Sequence, residues 1–375
     1  MIGLDKGKGL YSTWAEVDLG AIRANVSYFL EHTGSQVMAI VKANAYGHGA
    51  VPVAQAALEA GAAWCGVARV NEALELRQAG IDCPVLILGY TPQNRFREMI
   101  AENVSMTVWD INQVQAISTV ASQINQTARL HLKVDTGMSR LGTFPEDAPD
   151  MLKAAAQLPN IKIEGLFTHF ARADEEAPSP SDRQEALFSE LLNTLDAAGI
   201  QIPLVHAANS AASLTRPSVY FNCVRVGIAL YGLHPSPECP LPSSIRPALS
   251  WKSVIAQVKT LPPGSGVSYG HEYTTTRRER IGTVPVGYAD GFRRTAGNQV
   301  LVRGQLVPVV GRVTMDQVMV QLDTVPDAGE GDEVIVIGEQ DGNRITAEQI
   351  AARWKTINYE VTSGIAHRVP RIYSN

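Results

Sequence analysis

The chain has 375 residues, more than the roughly 150 of a typical domain, which predicts two domains or a barrel with an addition. Hydrophobic residues make up 45% and charged residues 18% of the sequence, a balance that excludes a disordered or fibrous protein. The 32 Lys and Arg residues against 37 Asp and Glu leave a net charge of -5. The basic residues are scattered, so no nucleic-acid partner is predicted.

Cysteine spacing and the N-terminal composition bear on the cellular compartment. Cys65, Cys83, Cys223 and Cys239 are far apart and form no Cys-x-x-Cys pair, so we expect reduced thiols rather than a disulfide framework or a zinc ribbon. The first nine residues carry charges where a signal peptide would be apolar, and no apolar run reaches the roughly 18 residues of a membrane span. We therefore expect a cytoplasmic protein with no membrane partner.

Eight short apolar runs follow one another from about residue 36, with helical patterns between them. Most are too short and too uniformly apolar for solvent-facing strands, and buried parallel strands have this pattern. Eight strand and helix alternations within about 200 residues predict a parallel (β/α)8 barrel, with a doubly wound open sheet as the alternative. The runs cover residues 37–41, 64–68, 84–88, 104–108, 128–134, 162–168, 202–206 and 222–226. The clearest helical patterns cover 50–60, 71–78, 110–120 and 183–198.

The composition changes after Tyr231. Residues 234–244 contain four prolines and resemble a linker between domains. Runs rich in Val and Ile follow, separated by Gly, Pro and Asp, at 253–258, 281–286, 300–302, 306–310, 318–322 and 333–337. One helix is predicted at 346–354, with a Thr cap. We therefore predict a barrel at 13–240 and a mainly β domain at 241–375, and place residues 1–12 with the latter.

The chemistry of such a barrel belongs at the C-terminal ends of its strands. Lys42 directly follows the first run. A partly desolvated lysine there has a lowered pKa and can form a Schiff base, although a lone strand-end lysine more often reaches solvent. After the last two runs, Asn209, Ser210 and Gly227 offer a hydroxyl and backbone amides to an anion, although each alone is equally a cap or a turn. An amine facing an anion site predicts pyridoxal phosphate.

The segment 41–49, VKANAYGHG, resembles the cofactor-lysine signature of alanine racemases, which are barrel-type pyridoxal phosphate enzymes. Further motifs of that family are matched over nearly the whole chain: HLKVDTGMSRLG (131–142), THFA (168–171), HAANS (206–210), RVGIALYG (225–232), VSYG (267–270), GYADG (287–291) and TMDQ (314–317). The resemblance implies interconversion of L-alanine and D-alanine, and a supply of D-alanine for peptidoglycan.

The resemblance implies that Lys42 carries the cofactor as a Schiff base and that Tyr269 is the opposing acid and base. A racemase must remove the Cα proton on one face and return a proton on the other, so two such groups are needed. In similar enzymes this tyrosine reaches into the neighbouring subunit's barrel. The resemblance therefore implies a homodimer with composite active sites and an inactive monomer.

The other site residues are also implied by the family. Arg225 faces the pyridine nitrogen there, and because an arginine keeps its protons it should leave that nitrogen unprotonated and the ring a weaker electron sink. Lys133 matches a position that is often carbamylated and then pairs with Arg140. The implied cofactor-binding positions, besides Lys42, are Tyr46, His169, Asn209, Ser210, Arg225, Gly227, Ile228 and Tyr359. Arg140 and the Met315 backbone are implied to bind substrate. Asp174, Tyr288, Arg294 and Asp316 are implied to support the site, and Asp174, Tyr288, Arg294 and Tyr359 to line the access corridor.

Two departures from the family pattern are small. Ser139 stands where glycine is common and Thr314 where cysteine is common, and we expect both to tune activity without abolishing it. An amino acid decarboxylase on the same barrel and a non-catalytic pyridoxal phosphate carrier are the competing hypotheses. The Tyr269 and Arg225 motifs argue against the first, and the long second domain argues against the second. The histidines lack metal-site spacing, so no metal is predicted.

Overall fold

The computed structural model describes residues 9–177 and 179–375. They form two compact units. The barrel unit contains Ala21–Ala45 and Ala50–Arg246, and the β unit contains the described residues up to Gly20 together with Tyr46–Gly49 and Pro247–Asn375. Residues 1–8, which the sequence analysis places with the second domain, lie outside the described residues.

The first described strand, β1 (Thr13–Asp18), belongs to the β unit, and the next eight strands build the barrel unit. These eight are β2 (Gln36–Ile40), β3 (Trp64–Val67), β4 (Val85–Ile87), β5 (Ser105–Val108), β6 (Ala128–Lys133), β7 (Ile161–Phe167), β8 (Leu204–His206) and β9 (Cys223–Val226). They lie parallel in the order β8-β7-β6-β5-β4-β3-β2-β9, and the Arg225 amide donates to the Ala208 carbonyl at 2.9 Å, which joins the two ends. All eight predicted strands and the barrel class are confirmed; the doubly wound alternative is wrong.

Helices alternate with these strands because their apolar residues recur every three or four positions. In Ile111–Gln123 the buried face is Val114, Ile117 and Ala121, and Asp110 caps the first turn by accepting from the Asn112 amide at 2.7 Å. The other helices in this part of the chain are Leu19–Thr33, Ala50–Glu59, Val70–Gln78, Phe96–Ala101, Ala148–Ala156, Ser179–Ala197 and Ala212–Thr215. No helix among the described residues is long and apolar enough to cross a bilayer.

The β unit is mainly β, as predicted. Its further strands are β10 (Leu249–Val254), β11 (Gln257–Leu261), β12 (Gly266–Val267), β13 (Tyr273–Thr274), β14 (Glu279–Val284), β15 (Gln299–Val302), β16 (Gln305–Val310), β17 (Val318–Gln321), β18 (Glu333–Gln340), β19 (Asn343–Ile345) and β20 (Arg371–Ser374). The large sheet runs β11-β14-β17-β16-β15-β18-β10-β1-β20, with β19 beside β18, while β12 and β13 pair separately. Its helices are Ala347–Trp354 and Asn358–Ser363.

Some details differ from the sequence predictions, and a second helix, Asn358–Ser363, follows the single one that was predicted. β1 and β20 were not predicted; β1 pairs with β10 (Thr13 opposite Ser253) and with β20 (Ala15 opposite Arg371). The run 253–258 is divided between β10 and β11, because the Ile255 and Ala256 amides bond outside these strands. The helix at 347–354 has the predicted Thr346 cap, and Gln349 completes the reciprocal capping bonds.

Candidate active site

Lys42 lies two residues beyond the end of β2, where the backbone turns into a left-handed conformation. Ala43, Asn44 and Ala45 all have φ of 52°. Such residues carry a steric cost of about 1–2 kcal/mol each because Cβ approaches the following carbonyl oxygen. The Asn44 side chain offsets part of this cost by accepting from the Ala50 amide at 2.8 Å. The strained turn therefore holds the chain that leads away from Lys42 in a defined shape.

Glu72 holds the beginning of this turn. One carboxylate oxygen accepts from the Ala43 amide at 2.7 Å, and the other accepts from the amides of Ala68 at 2.7 Å and Arg69 at 3.0 Å. Glu72 is the third residue of the helix Val70–Gln78. Its single side chain thus ties the end of β2 to the end of β3 and to the following helix.

Burial lowers the pKa of Lys42, because removing an ammonium from water disfavours its charge. The cations of Arg140 and Arg225 lower it further, while the carboxylate of Glu72 acts in the opposite direction. A lysine in this environment has more of the neutral amine, which is the nucleophilic form.

Arg225, on β9, is 3% exposed. One terminal nitrogen donates to the His206 carbonyl and approaches His206 Nδ1, both at 2.9 Å. The other donates to the carbonyls of Thr168 at 2.8 Å and Ala207 at 2.9 Å, and approaches His169 Nδ1 at 3.2 Å. Burial lowers the pKa of Arg225 to about 10, so the group is still a cation at neutral pH.

Burial and the surrounding cations both act on the pKa of His169. Burial, followed by Arg225, Lys133, Arg140 and Lys42, holds the pKa of His169 well below its usual value. The imidazole is therefore neutral at pH 7. The same interactions show that four predicted site cations lie near one another in the barrel unit.

Ser210, after β8, is buried and faces the loop that follows β9. Its hydroxyl oxygen accepts from the Gly227 amide at 2.9 Å and the Ala229 amide at 3.4 Å. The preceding residue, Asn209, caps the short helix Ala212–Thr215 by accepting from the Ala212 amide at 3.0 Å. A hydroxyl and converging backbone amides are the groups that bind a phosphate in proteins.

Arg140 is carried by a loop that Asp135 organises. A single carboxylate oxygen of Asp135 accepts from the amides of Gly137, Met138 and Ser139 at 2.9, 2.9 and 3.0 Å. Burial opposes the charge on Asp135, but these three bonds outweigh it and its pKa is lowered. The loop after β6 is thereby fixed just before Arg140.

Lys133, the last residue of β6, is 2% exposed, and its amine has no hydrogen-bond partner among the residues that the structure describes. The nitrogen lies 4.9 Å from the centre of the Phe167 ring. Burial first, and then Arg225 and Arg140, lower the pKa of Lys133 to about 7. A buried lysine without a polar partner is costly, so a group that gave this nitrogen polar partners would stabilise it.

The β unit brings together the remaining predicted residues in groups. The rings of Tyr46 and Tyr359 lie 6.0 Å apart. Tyr288 donates its amide to the Thr314 carbonyl at 3.1 Å, so the segments that contain Tyr288 and Met315 lie side by side. Arg368 Nη2 donates a hydrogen bond to Asp316 Oδ1 at 2.8 Å.

Tyr269 projects from a turn between β12 and β13 and is 71% exposed. Three residues beside it, Ser268, Gly270 and His271, have positive φ of 64°, 72° and 48°. The Ser268 hydroxyl donates to the Arg312 carbonyl at 2.7 Å and anchors the turn. Arg294 is exposed in this unit, among the electrostatic neighbours of Glu272. In the barrel unit, the Asp174 carbonyl accepts from Ser236 at 2.5 Å.

Comparison with known proteins identifies the family. The alanine racemase N-terminal domain matches residues 17–235, and the alanine racemase C-terminal domain matches residues 248–373. The chain belongs to the alanine racemase family. The family predicted from the motifs is therefore confirmed.

Individual alanine racemases are similar along almost their whole length. The alanine racemase of Symbiobacterium thermophilum is 45% identical over 368 residues, 97% of this chain and 98% of the relative. A solved alanine racemase from Clostridium difficile 630 has a TM-score of 0.93 and 41% identity, covering 98% of this chain and 97% of that chain. One from Bacillus anthracis, with bound L-Ala-P, has a TM-score of 0.91 and 41% identity, covering 98% and 96%.

Sequence reasoning assigned no role to Glu72, His131 or Glu164, whose side chains bond other residues of the barrel unit. Glu72 had a local signal, because a glutamate at the third position of a helix commonly bonds backbone amides at the helix start. His131 stood in a quoted motif without an assigned role. Glu164 had no local signal, since its position in β7 reads as an ordinary strand residue.

Proposed function

We propose that this protein interconverts L-alanine and D-alanine with pyridoxal 5'-phosphate attached to Lys42, and that it supplies D-alanine for peptidoglycan synthesis in the cytoplasm. The observation that carries the proposal is the set of groups at one end of the barrel unit. It combines the desolvated amine of Lys42, the buried guanidinium of Arg225 and the Ser210 hydroxyl among backbone amides.

These residues fit the cofactor chemically. Lys42 would hold it covalently, and the Ser210 hydroxyl with the amides near Gly227 and Ile228 would receive its phosphate. Tyr46 and Tyr359 would add phenol donors. Asn209 precedes Ser210 in the chain and His169 contacts Arg225, so both would also take part in holding the cofactor. When bound, the cofactor supplies an electron-withdrawing ring that acidifies the Cα proton of an amino acid.

Two residues would move the proton. The lowered pKa of Lys42 lets its amine accept a proton from Cα on one face and return it in the reverse direction. Tyr269, exposed on the β unit, would serve the opposite face in the barrel of a second subunit. Arg225 presents only N–H donors, so it would favour an unprotonated ring nitrogen in a cofactor held beside it.

Arg140 and the Met315 backbone would bind the substrate, with Asp316 supporting the site. The access route would be lined by Asp174, Tyr288, Arg294 and Tyr359. Lys133 would orient Arg140 after carbamylation: its neutral amine nitrogen bonds to the carbon of CO2 and releases one proton to solvent. A pKa of about 7 keeps a large part of this amine neutral at neutral pH. The carbamate anion formed would pair with Arg140. This buried side chain would then have a polar partner.

The test is incubation of the holoenzyme with L-alanine in heavy water, while D-alanine and deuterium at Cα are measured. We expect both to appear together, because a proton lost from Cα is replaced from solvent. Bound pyridoxal phosphate without either product would contradict the racemase and favour a carrier. Release of CO2 and ethylamine would instead indicate a decarboxylase.

The direction of exchange tests the two bases. Replacing Tyr269 with Phe should leave Lys42 able to exchange the Cα proton of D-alanine, while exchange from L-alanine falls strongly, by roughly 100-fold or more. Tyr28→Phe, on the helix Leu19–Thr33, is the matched control and should change neither rate. Equal losses from both enantiomers in a folded Y269F protein would contradict the assignment.

A further inference from the structure

A line of buried polar side chains crosses the barrel unit from Arg225 to Glu164. Arg225 Nη1 lies 2.9 Å from His206 Nδ1, and His206 Nε2 lies 2.9 Å from His131 Nδ1. His131 Nε2 faces Glu164 Oε1 at 3.6 Å. The four residues are 3%, 0%, 0% and 6% exposed, so these groups interact away from bulk water.

The hydrogen-bonding capacities of these groups determine where the protons lie. Arg225 has only donors, so the His206 Nδ1 that it contacts must be an unprotonated acceptor. Burial holds the pKa of His206 well below its usual value, so the ring is neutral and its one proton is on Nε2. That proton points at His131 Nδ1, which must then accept.

The same reasoning places the proton of His131. Burial, partly opposed by Glu164, lowers the pKa of His131, so this ring is neutral as well. With Nδ1 accepting, its proton is on Nε2 and points toward the Glu164 carboxylate. All donors in the line are therefore oriented from Arg225 to Glu164.

Glu164 is built to stay ionised at the end of the line. Its Oε1 accepts from the Ser105 hydroxyl and its Oε2 accepts from Arg129 at 2.9 Å. Burial opposes the charge, but the nearby His131 ring and the hydrogen bonds from Ser105 and Arg129 outweigh it and lower the pKa of Glu164 to about 2. Glu164 is therefore an anion throughout the neutral pH range.

The strand register is adapted to this contact. Leu130 on β6 lies opposite Ile163 on β7, but His131 lies opposite Gly165, so Glu164 is an extra residue without a partner. A bulge of this kind re-aims the side chain that it contains. A Cβ on Gly165 would lie 2.1 Å from His131 Nδ1, so glycine there makes room for the imidazole.

We propose that Glu164 is a positioning residue for Arg225. Its carboxylate keeps the His131 proton on Nε2, which keeps the His206 proton on Nε2 and leaves an unprotonated Nδ1 facing the guanidinium. Arg225 is thereby held against the carbonyls at the end of β8. The inference rests on the proposed role of Arg225 beside the cofactor, although the tautomers themselves do not depend on that role.

Glu164→Gln reverses the line while keeping the side-chain shape. Arg129 only donates, so it takes the glutamine oxygen and the amide nitrogen turns toward Ser105 and His131. An N–H facing His131 Nε2 favours the other tautomer, with the proton on Nδ1. That proton opposes the His206 Nε2 proton, and a shift of His206 in turn sets an N–H against Arg225.

The experiment uses the full-length protein as purified with its cofactor, labelled with 15N-histidine. Two-bond 1H–15N spectra distinguish the two tautomers of each neutral ring, and single His131→Asn and His206→Asn variants assign the signals. In the wild type we expect both rings to carry the proton on Nε2. In Glu164→Gln we expect the Nδ1 tautomer at His131, and pyridoxal phosphate held roughly tenfold more weakly after loss of a bond to a charged group.

Arg129→Gln is the matched control. It removes a partner of Glu164 but keeps the carboxylate, so the tautomers and the cofactor affinity should stay as in the wild type. A wild-type ring that is doubly protonated or carries its proton on Nδ1 overturns the proposal even if Glu164→Gln does not fold. Unchanged tautomers in folded Glu164→Gln also overturn it. If His131 and His206 both carry the proton on Nε2 but the protein produces no D-alanine, only the proposed function is contradicted.

Discussion

Ser139 shows how one residue adjusts the loop that carries Arg140. Its φ is 55°, in the left-handed region, while Gly137 and Gly142 in the same loop have φ of 139° and 133°. The Ser139 amide is held there by Asp135. Serine has a Cβ and adopts this conformation at a cost that glycine largely avoids.

Ser139→Gly should therefore stabilise the protein. The expected gain in the free energy of unfolding is about 0.5–1 kcal/mol, because relief of the left-handed strain exceeds the greater flexibility of glycine in the unfolded chain. Urea unfolding followed by circular dichroism measures it. Ser122→Gly, exposed in the helix Ile111–Gln123, is the control and should lower the stability by a similar amount. A lower stability of the S139G protein would contradict this prediction, because it would mean that the serine side chain stabilises the loop by more than its left-handed φ costs.

At the scale of elements, Glu72 forms a clasp near Lys42. This clasp consists of its carboxylate and the backbone amides of Ala43, Ala68 and Arg69. Two strand ends and one helix start meet at its two carboxylate oxygens. Three backbone N–H donors converge on the carboxylate, so an amide in its place presents its own N–H to at least one of them. The arrangement is more specific than an ordinary helix cap, because it also ties down the left-handed turn after Lys42.

Glu72→Gln should therefore lower the free energy of unfolding by about 1–3 kcal/mol, the range for leaving a backbone donor without an acceptor. The cofactor should also dissociate faster, because the turn after Lys42 is no longer held. Denaturant unfolding and the release of pyridoxal phosphate measure the two effects. Glu75→Gln on the exposed side of the same helix should stay within about 0.5 kcal/mol of the wild type. Equal effects of the two variants would show that the clasp is unimportant.

The eight barrel strands could be predicted because most of them are short runs rich in apolar residues, a property of the local sequence. β1 could not be predicted in the same way. Four of its six residues are buried only because it lies between β10 and β20, which are more than 200 residues away along the chain. Its pairing is decided by tertiary contacts.

At the scale of the whole molecule, the proposed homodimer completes each site with residues from two chains. Lys42→Ala removes the cofactor lysine, and Tyr269→Phe removes the opposing base. If one subunit supplies Lys42 and the other Tyr269, a mixed dimer of these two variants contains one intact site and one doubly altered site. If both bases come from one chain, no site in the mixed dimer is intact.

Equal amounts of the two variants, unfolded and refolded together, should therefore regain about one quarter of the wild-type racemisation of L-alanine. Half of the dimers formed at random are mixed, and half of the sites in each mixed dimer are intact. Each variant refolded alone is the control and should stay far below this value. Failure to regain activity, although mixed dimers form, would contradict composite sites.

The barrel class, the β-rich second part, the family and the principal candidate residues could all be predicted from the amino-acid sequence alone. Strand periodicity is local, and the motifs around Lys42, Arg225 and Tyr269 can be read without knowing what surrounds them. The tertiary structure decided which charges are buried. It lowers the pKa of Lys133 to about 7 and leaves the nearby Asp135 ionised.

The tertiary structure also decided the line from Arg225 to Glu164. Its members come from four strands, and a one-residue bulge in β7 sets the direction of the Glu164 side chain. Burial, strand register and the donors that face one another are properties of residues far apart in the chain. No local pattern contains them, so they exist only once the barrel has closed.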